Sequence, residues 1–180
     1  SRMVFYPDFT NKTNKAENYA RSATGIQAGK DKKVLPVFLK YLGQAAFQME
    51  EGLKLYREAA LKSPVSKRQQ AVREVVVAEQ IQRMMQSDHA ILEFEDLRLQ
   101  FVNEQNRQKA GTILDRMEDI VRDEITRTEL SILAATRDSR LGFQFEQDYV
   151  YTPYSLSEKL EVLNETLDTQ LPAARRKISM

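Results

Sequence analysis

Apolar positions recur along most of this chain in alternating steps of four and three, the repeat of one helical face. The first run is Leu35, Leu39, Leu42, Ala46, Met49, Leu53, Tyr56 and Ala60, a single stripe on a helix that follows Pro36. Ser63-Pro64 punctuates it. Ser63 can accept a bond from a free backbone N–H, and Pro64 suits a first helical position because its missing donor is not needed there. A second helix is predicted from this point to about Asn106. Its apolar set (Val72, Val75 to Val77, Ile81, Met84, Met85, Ile91, Leu92, Phe94, Leu97 and Phe101) covers more than one face, which places it between neighbours.

A third stripe, Ala110, Leu114, Met117, Val121, Ile125, Thr128, Ile132 and Ala135, ends near Arg137-Asp138-Ser139, with Gly142 as a left-handed residue just beyond. Thr152-Pro153 repeats the cap-then-proline signal, and Ser155 with Glu158 offers a competing capping box. The last helix carries Leu156, Leu160, Leu163, Leu167 and Leu171 and is predicted to fray at Pro172. The expectation is therefore an all-α fold over residues 34–180: an up-and-down bundle of three long helices plus a shorter C-terminal helix. Residues 1–33 lack periodicity and read as an irregular lead-in, an arm laid on a neighbouring surface through Phe5, Tyr6, Phe9 and Tyr19.

Composition sharpens this picture mainly by exclusion. Six glycines and five prolines in 180 residues leave few breakers, hence few turns and long helices. Basic and acidic side chains nearly balance, 27 against 26, without the basic excess that neutralises phosphates, so no nucleic-acid partner is expected. The run Arg175-Arg176-Lys177 reads as a solvated tail. Cysteine is absent, which removes thiol nucleophiles and thiolate metal sites. No stretch approaches the ~20 apolar residues of a membrane-spanning helix. The chain opens on Ser1 without a signal-peptide pattern and reads as a fragment or a processed piece.

A di-metal carboxylate bundle needs two inward Glu-x-x-His pairs, but His89 is the one histidine and position 86 is Gln86. His89 lies along an apolar strip near Met85 and Leu92 and reads as structural, with Asp88 bonding it or an adjacent helix. No metal ligand set, cofactor-cradling glycine loop or Gly-x-Ser-x-Gly elbow is legible. The carboxylates Glu93, Glu95, Asp96, Glu118, Asp119, Asp123 and Glu124 read as a solvated face, so no catalytic residue is assigned. The segment from Arg137 to Tyr154 is unusual, gathering Arg137, Arg140, Phe143, Phe145, Tyr149, Tyr151 and Tyr154. Its aromatics either cap the end of the bundle, with Asp138 and Arg140 pairing to hold the turn, or form a contact surface. In the second case Arg140, Tyr149 and Tyr151 are the candidate carbohydrate-binding residues.

At this loop, Asp138-Ser139-Arg140-Leu141-Gly142-Phe143, followed by Tyr149, Tyr151 and a further helix, resembles the end of large Bacteroides-type glycoside-hydrolase-like proteins, similar to α-glucuronidases in layout. Met49 to Ala60 resembles their first helix after the catalytic barrel, and Ser87 to Arg98 the middle one, so the likeness spans residues 35 to 170. The resemblance implies a non-catalytic accessory helical domain of a periplasmic or cell-surface protein, contacting a catalytic domain or a partner subunit. The family's catalytic carboxylates would lie in the barrel, which has no counterpart here. Two alternatives stand beside it: a free-standing interaction protein that forms a homodimer through the stripe of residues 35–60, and a small sugar-binding helical module.

Overall fold

A computed structural model describes residues 5, 7–12, 34–141, 143–144 and 149–179. Tyr6, Tyr19, Gly142 and Phe145 lie outside the described residues. Helix α1 spans Val34–Leu61, α2 Val65–Asn103 and α3 Arg107–Arg137. A single 3-10 turn, Ser139–Leu141, leads to the two-residue strands β1 (Phe143–Gln144) and β2 (Tyr149–Val150), whose antiparallel ladder pairs Phe143 with Val150 and Gln144 with Tyr149. That ladder braces a loop and adds no sheet layer. Helix α4, Pro153–Glu165, passes through a π-helical turn, Thr166–Gln170, into α5, Leu171–Ser179. The architecture is thus all-α, three long helices and a shorter C-terminal one, as the periodicity predicts.

Sequential helices run antiparallel. Leu35 packs with Leu92 near one end of the α1–α2 pair, while Arg57 meets Glu79 further along. Ser87 reaches Glu124 across α2–α3, and Glu124 reaches Lys159 across α3–α4. Short connections enforce this up-and-down order. The main core forms where α2, α3 and the α4–α5 rod meet, around Phe94, Leu114, Met117, Val121, Leu163 and Leu171. Each such side chain stabilises the fold by roughly 1.5–3 kcal/mol on burial. Helix α2 lies between α1 and α3, as its broad apolar set requires, with α1 packed mainly on α2.

The lead-in arm lies on the bundle itself. Phe5 stacks on Phe94 with ring centroids 4.4 Å apart, and Phe9 meets the edge of Phe101 at 5.5 Å. The arm's backbone is tied down by Arg98, whose Nη1 donates to the carbonyls of Asp8 and Asn11.

Several local expectations change. Ser63 does not cap α2; its hydroxyl donates back to the Ala59 carbonyl at 3.2 Å, satisfying the end of α1, and Pro64 stands at the cap without a side-chain bond. Asn106 instead supplies a cap, accepting from the Lys109 N–H at 3.0 Å. At α4 the Thr152 hydroxyl accepts from the Ser155 N–H while the Ser155 hydroxyl accepts from the Thr152 N–H, a reciprocal box with Ser155 in the usual Glu place. The last helix does not end at Pro172. Proline lacks the N–H that would continue the α ladder, and the π turn just before it absorbs the misfit, with the Leu171 N–H bonding to the Thr166 carbonyl. The helix therefore continues to Ser179, and Arg175 is no tail residue: it reaches Asp115 on α3 at 2.7 Å.

Candidate functional site

The loop after α3 holds the sequence-derived contact residues. Asp138 ends α3, and Arg140 folds back on it, donating from Nη2 at 2.6 Å and from Nε at 2.9 Å. That bidentate partner is the main reason the Asp138 carboxyl falls to about 2. The pairing holds the turn as expected and takes the Nε–Nη2 edge of a guanidinium whose side chain stays exposed. Tyr149 lies in β2 by its backbone, and its side chain is outside the described part of the molecule. Tyr151 is only 1% exposed: its ring packs with Ala135 and Leu156, and its hydroxyl donates to Ser131 Oγ at 3.3 Å. Arg140 thus stays at the surface while Tyr151 belongs to the interior.

Sequence reasoning missed a polar centre where α2, α3 and α4 meet. Glu124, read as part of a solvated face, is fully enclosed. It accepts from Ser87 Oγ on α2 at 2.7 Å, from Arg127 Nε on its own helix at 2.8 Å, and from Lys159 Nζ on α4. Burial by itself would raise the Glu124 carboxyl, but the charges of Lys159 and Arg127 and the donated hydrogen bonds outweigh it and hold the group below its usual range. Lys159 is also buried, so two ionised groups share one dry pocket and neutralise each other. Asp88 stands nearby and gains less from the same lysine. Desolvation pushes it up to about 6, against the lowering charge of Lys159 and reinforced by Glu124.

A second enclosed pair repeats the device at the arm. Arg98 and Glu95, both buried, meet through two parallel hydrogen bonds of 2.7 and 2.8 Å. Glu95 is therefore the second carboxylate wrongly placed on a solvated face. One signal could have exposed these residues. Arg98 falls in the step series Ile91, Phe94, Arg98, Phe101, and Glu124 in the series Met117, Val121, Glu124, Thr128, so each interrupts an apolar stripe from within.

Chemically these centres are closed. An acid–base group must reach a reacting atom, whereas the Glu124 oxygens are engaged by three side chains and sealed from water. His89 is half-buried against Gly43 on α1, with Nδ1 3.5 Å from Glu93, and desolvation lowers its pKa. Among the described residues no group of three His, Asp or Glu side chains could hold a metal ion, and no helix is long and apolar enough to cross a membrane.

What stays open is the outer side of α1. The stripe from Leu35 to Ala60 faces α2, with Leu35, Ala46, Leu53 and Ala60 buried. Beside it, Tyr41 is 62% and Leu55 69% exposed, with Val37 also exposed, and within the stripe Tyr56 is exposed too. An apolar cleft of about 450 Å³ opens there between α1 and α2, lined by Met49, Gly52, Leu53, Leu55, Tyr56 and Ala59 of α1 and Ala78 of α2. No protein-family model, no curated protein and no solved structure matches this chain.

Proposed function

We propose that this chain is a non-catalytic accessory helical domain of a carbohydrate-active, glycoside-hydrolase-like bacterial protein, making domain or subunit contacts. The observation that carries the reading is a division of labour. The buried carboxylates Glu95 and Glu124 are engaged by cationic partners inside the bundle, while bulky apolar side chains are left outside along α1. A soluble bundle gains nothing from exposing Tyr41 and Leu55 unless another surface covers them. The sequence likeness of Asp138 to Phe143 and of Met49 to Ala60 supplies the carbohydrate-active parent.

The test is turnover of aryl glycosides by the isolated chain. The expected rate is that of buffer alone, in wild type and in Glu124→Gln alike. Hydrolysis abolished by a single carboxylate substitution would sink the reading. A dimerising scaffold remains the second reading, favoured by the open face of α1, although not through the stripe of residues 35–60, which is spent on α2. The sugar-binding module has less support, since Tyr151 is enclosed and Arg140 is engaged by Asp138.

A further inference from the structure

We infer that the open face of α1 is a self-complementary seam that pairs antiparallel with α1 of a second copy of this chain. The inference rests on the reading of the chain as a contact-making, non-catalytic bundle, and it names the partner of that contact.

The open face has its own heptad, one residue out of step with the stripe that faces α2. Val34, Tyr41, Gln48 and Leu55 recur every seven residues, and Phe38, Ala45, Gly52 and Ala59 recur between them. Rotation by one residue turns the face by about 100° around the helix, so the two stripes serve different neighbours. Phe38 and Ala45 are half-buried at the border between them, while the other six positions are exposed.

Two such helices brought together antiparallel, with the two-fold axis between positions 46 and 47, place each member of one set against a member of the other. Tyr41 then meets Gly52 of the second copy, Val34 meets Ala59, Phe38 meets Leu55, and Ala45 meets Gln48. Large faces small at three of the four layers, which is the knob-and-hole requirement of close helix pairing. The hole is already present: the cleft beside Gly52 is apolar and a Cβ at Gly52 would meet no atom within 4 Å. The knob is present too, since Tyr41 is mostly exposed on the same helix, with Lys40 Nζ 6.0 Å from its ring centroid. In one chain a glycine inside an exposed helix costs about 1 kcal/mol relative to alanine, and in the pair it admits a tyrosine ring.

Area and charge agree with a second copy. The exposed side chains of this face, Tyr41 and Leu55 foremost, offer on the order of 600 Å² per protomer, about 1,200 Å² for the pair, where specific interfaces begin. None of the eight positions of the seam is charged, so no like charges meet across it. Gln48 near the axis is a polar residue in an apolar seam, a device that fixes register.

The experiment is sedimentation equilibrium of the full chain from micromolar to sub-millimolar concentration, with Gly52→Glu as the variant that fills the hole. Gly52→Glu has open space around its Cβ and is expected to keep the helical circular-dichroism spectrum while shifting the dimer dissociation constant at least tenfold. Register is read by cross-linking, made clean by the absence of native cysteine. Y41C mixed with G52C should give an oxidised dimer of the two different chains, and neither variant should cross-link alone, because equivalent positions sit about 16 Å apart along the seam. A chain that stays monomeric throughout, a dimer indifferent to Gly52→Glu, or Y41C linking to itself overturns the proposal. A monomer would leave the accessory-domain reading standing, and glycoside turnover would remove that reading while leaving the pairing untouched.

Discussion

Arg98 grips both carboxylate oxygens of Glu95, at 2.7 and 2.8 Å, with the two side chains enclosed in the bundle. The same guanidinium holds the carbonyls of Asp8 and Asn11. One residue therefore neutralises a buried charge and fastens the arm. Removing one partner of an enclosed pair leaves the other charged and unsolvated, which costs about 3–5 kcal/mol, whereas replacing both by apolar groups is often near neutral. Arg98→Ala should lower the unfolding free energy by about that amount. The double variant Glu95→Leu with Arg98→Met should recover a large part of it. Urea unfolding of the single and double variants checks the difference, and equal losses would show that the pair is not the cause.

The arm should detach in step with its anchors. Phe5 is buried and stacked on Phe94, and losing a buried phenylalanine ring costs roughly 3–5 kcal/mol when the site cannot collapse. Here the arm can leave instead, so Phe5→Ala should fall at or below that range. Amide exchange at Phe9 and Thr10 should rise with it. Unchanged exchange would show that Arg98 alone holds the arm.

Lys159→Met should strip the main cation from Glu124 and leave Arg127 and Ser87 as its donors. Glu124 has a depressed folded pKa, so its contribution is complete above the unfolded value of 4.5 and is lost as pH falls through the folded one. Without Lys159 the folded value rises, and acid unfolding should begin at higher pH. Stability at neutral pH should drop by about 3–5 kcal/mol. An acid midpoint that does not move would contradict the ionised pair.

Asp88 titrates in the opposite sense. Its folded pKa of about 6 lies above the ordinary aspartate value of 3.8 because burial disfavours the charge. Ionisation therefore costs the native state stability between pH 4 and pH 6, and that loss persists above pH 6. Asp88→Asn should abolish the decline over this window and raise Tm at pH 7. Lys159 and Glu124 flank the site, so the profile is best measured by calorimetry at several pH values. A variant that still declines between pH 4 and 6 would place the titrating group elsewhere.

Thr128 carries a buried hydroxyl with no hydrogen-bond partner among the described residues. An unsatisfied buried polar group costs about 1–3 kcal/mol, so Thr128→Val, which keeps the shape, should stabilise the fold by about 1 kcal/mol. A loss of stability in thermal unfolding would reveal an unseen partner for the hydroxyl.

The helices were legible because each stripe is a one-dimensional signal. Leu114, Met117 and Val121 fall on one face by spacing alone, and Thr152-Pro153 marks the start of α4 by local chemistry. The last helix outran its predicted end, since Pro172 stops an α ladder but not one relaxed by a π turn. The carboxylates were misjudged for a different reason. Glu93 stays partly exposed and Glu124 is enclosed, yet both are glutamates on long charged helices. What separates them is Lys159, some thirty-five positions downstream of Glu124.

Sequence alone determined how many helices form, roughly where they begin and end, and which side of each is apolar, because backbone periodicity and capping act within a few residues. Tertiary packing decided the rest. It chose which of two adjacent stripes on α1 would be covered by α2, brought Ser87, Glu124 and Lys159 from three helices to one point, and closed Tyr151 into the interior. Whether a charge can be buried depends on a countercharge supplied from elsewhere in the chain, and that distance no local pattern spans.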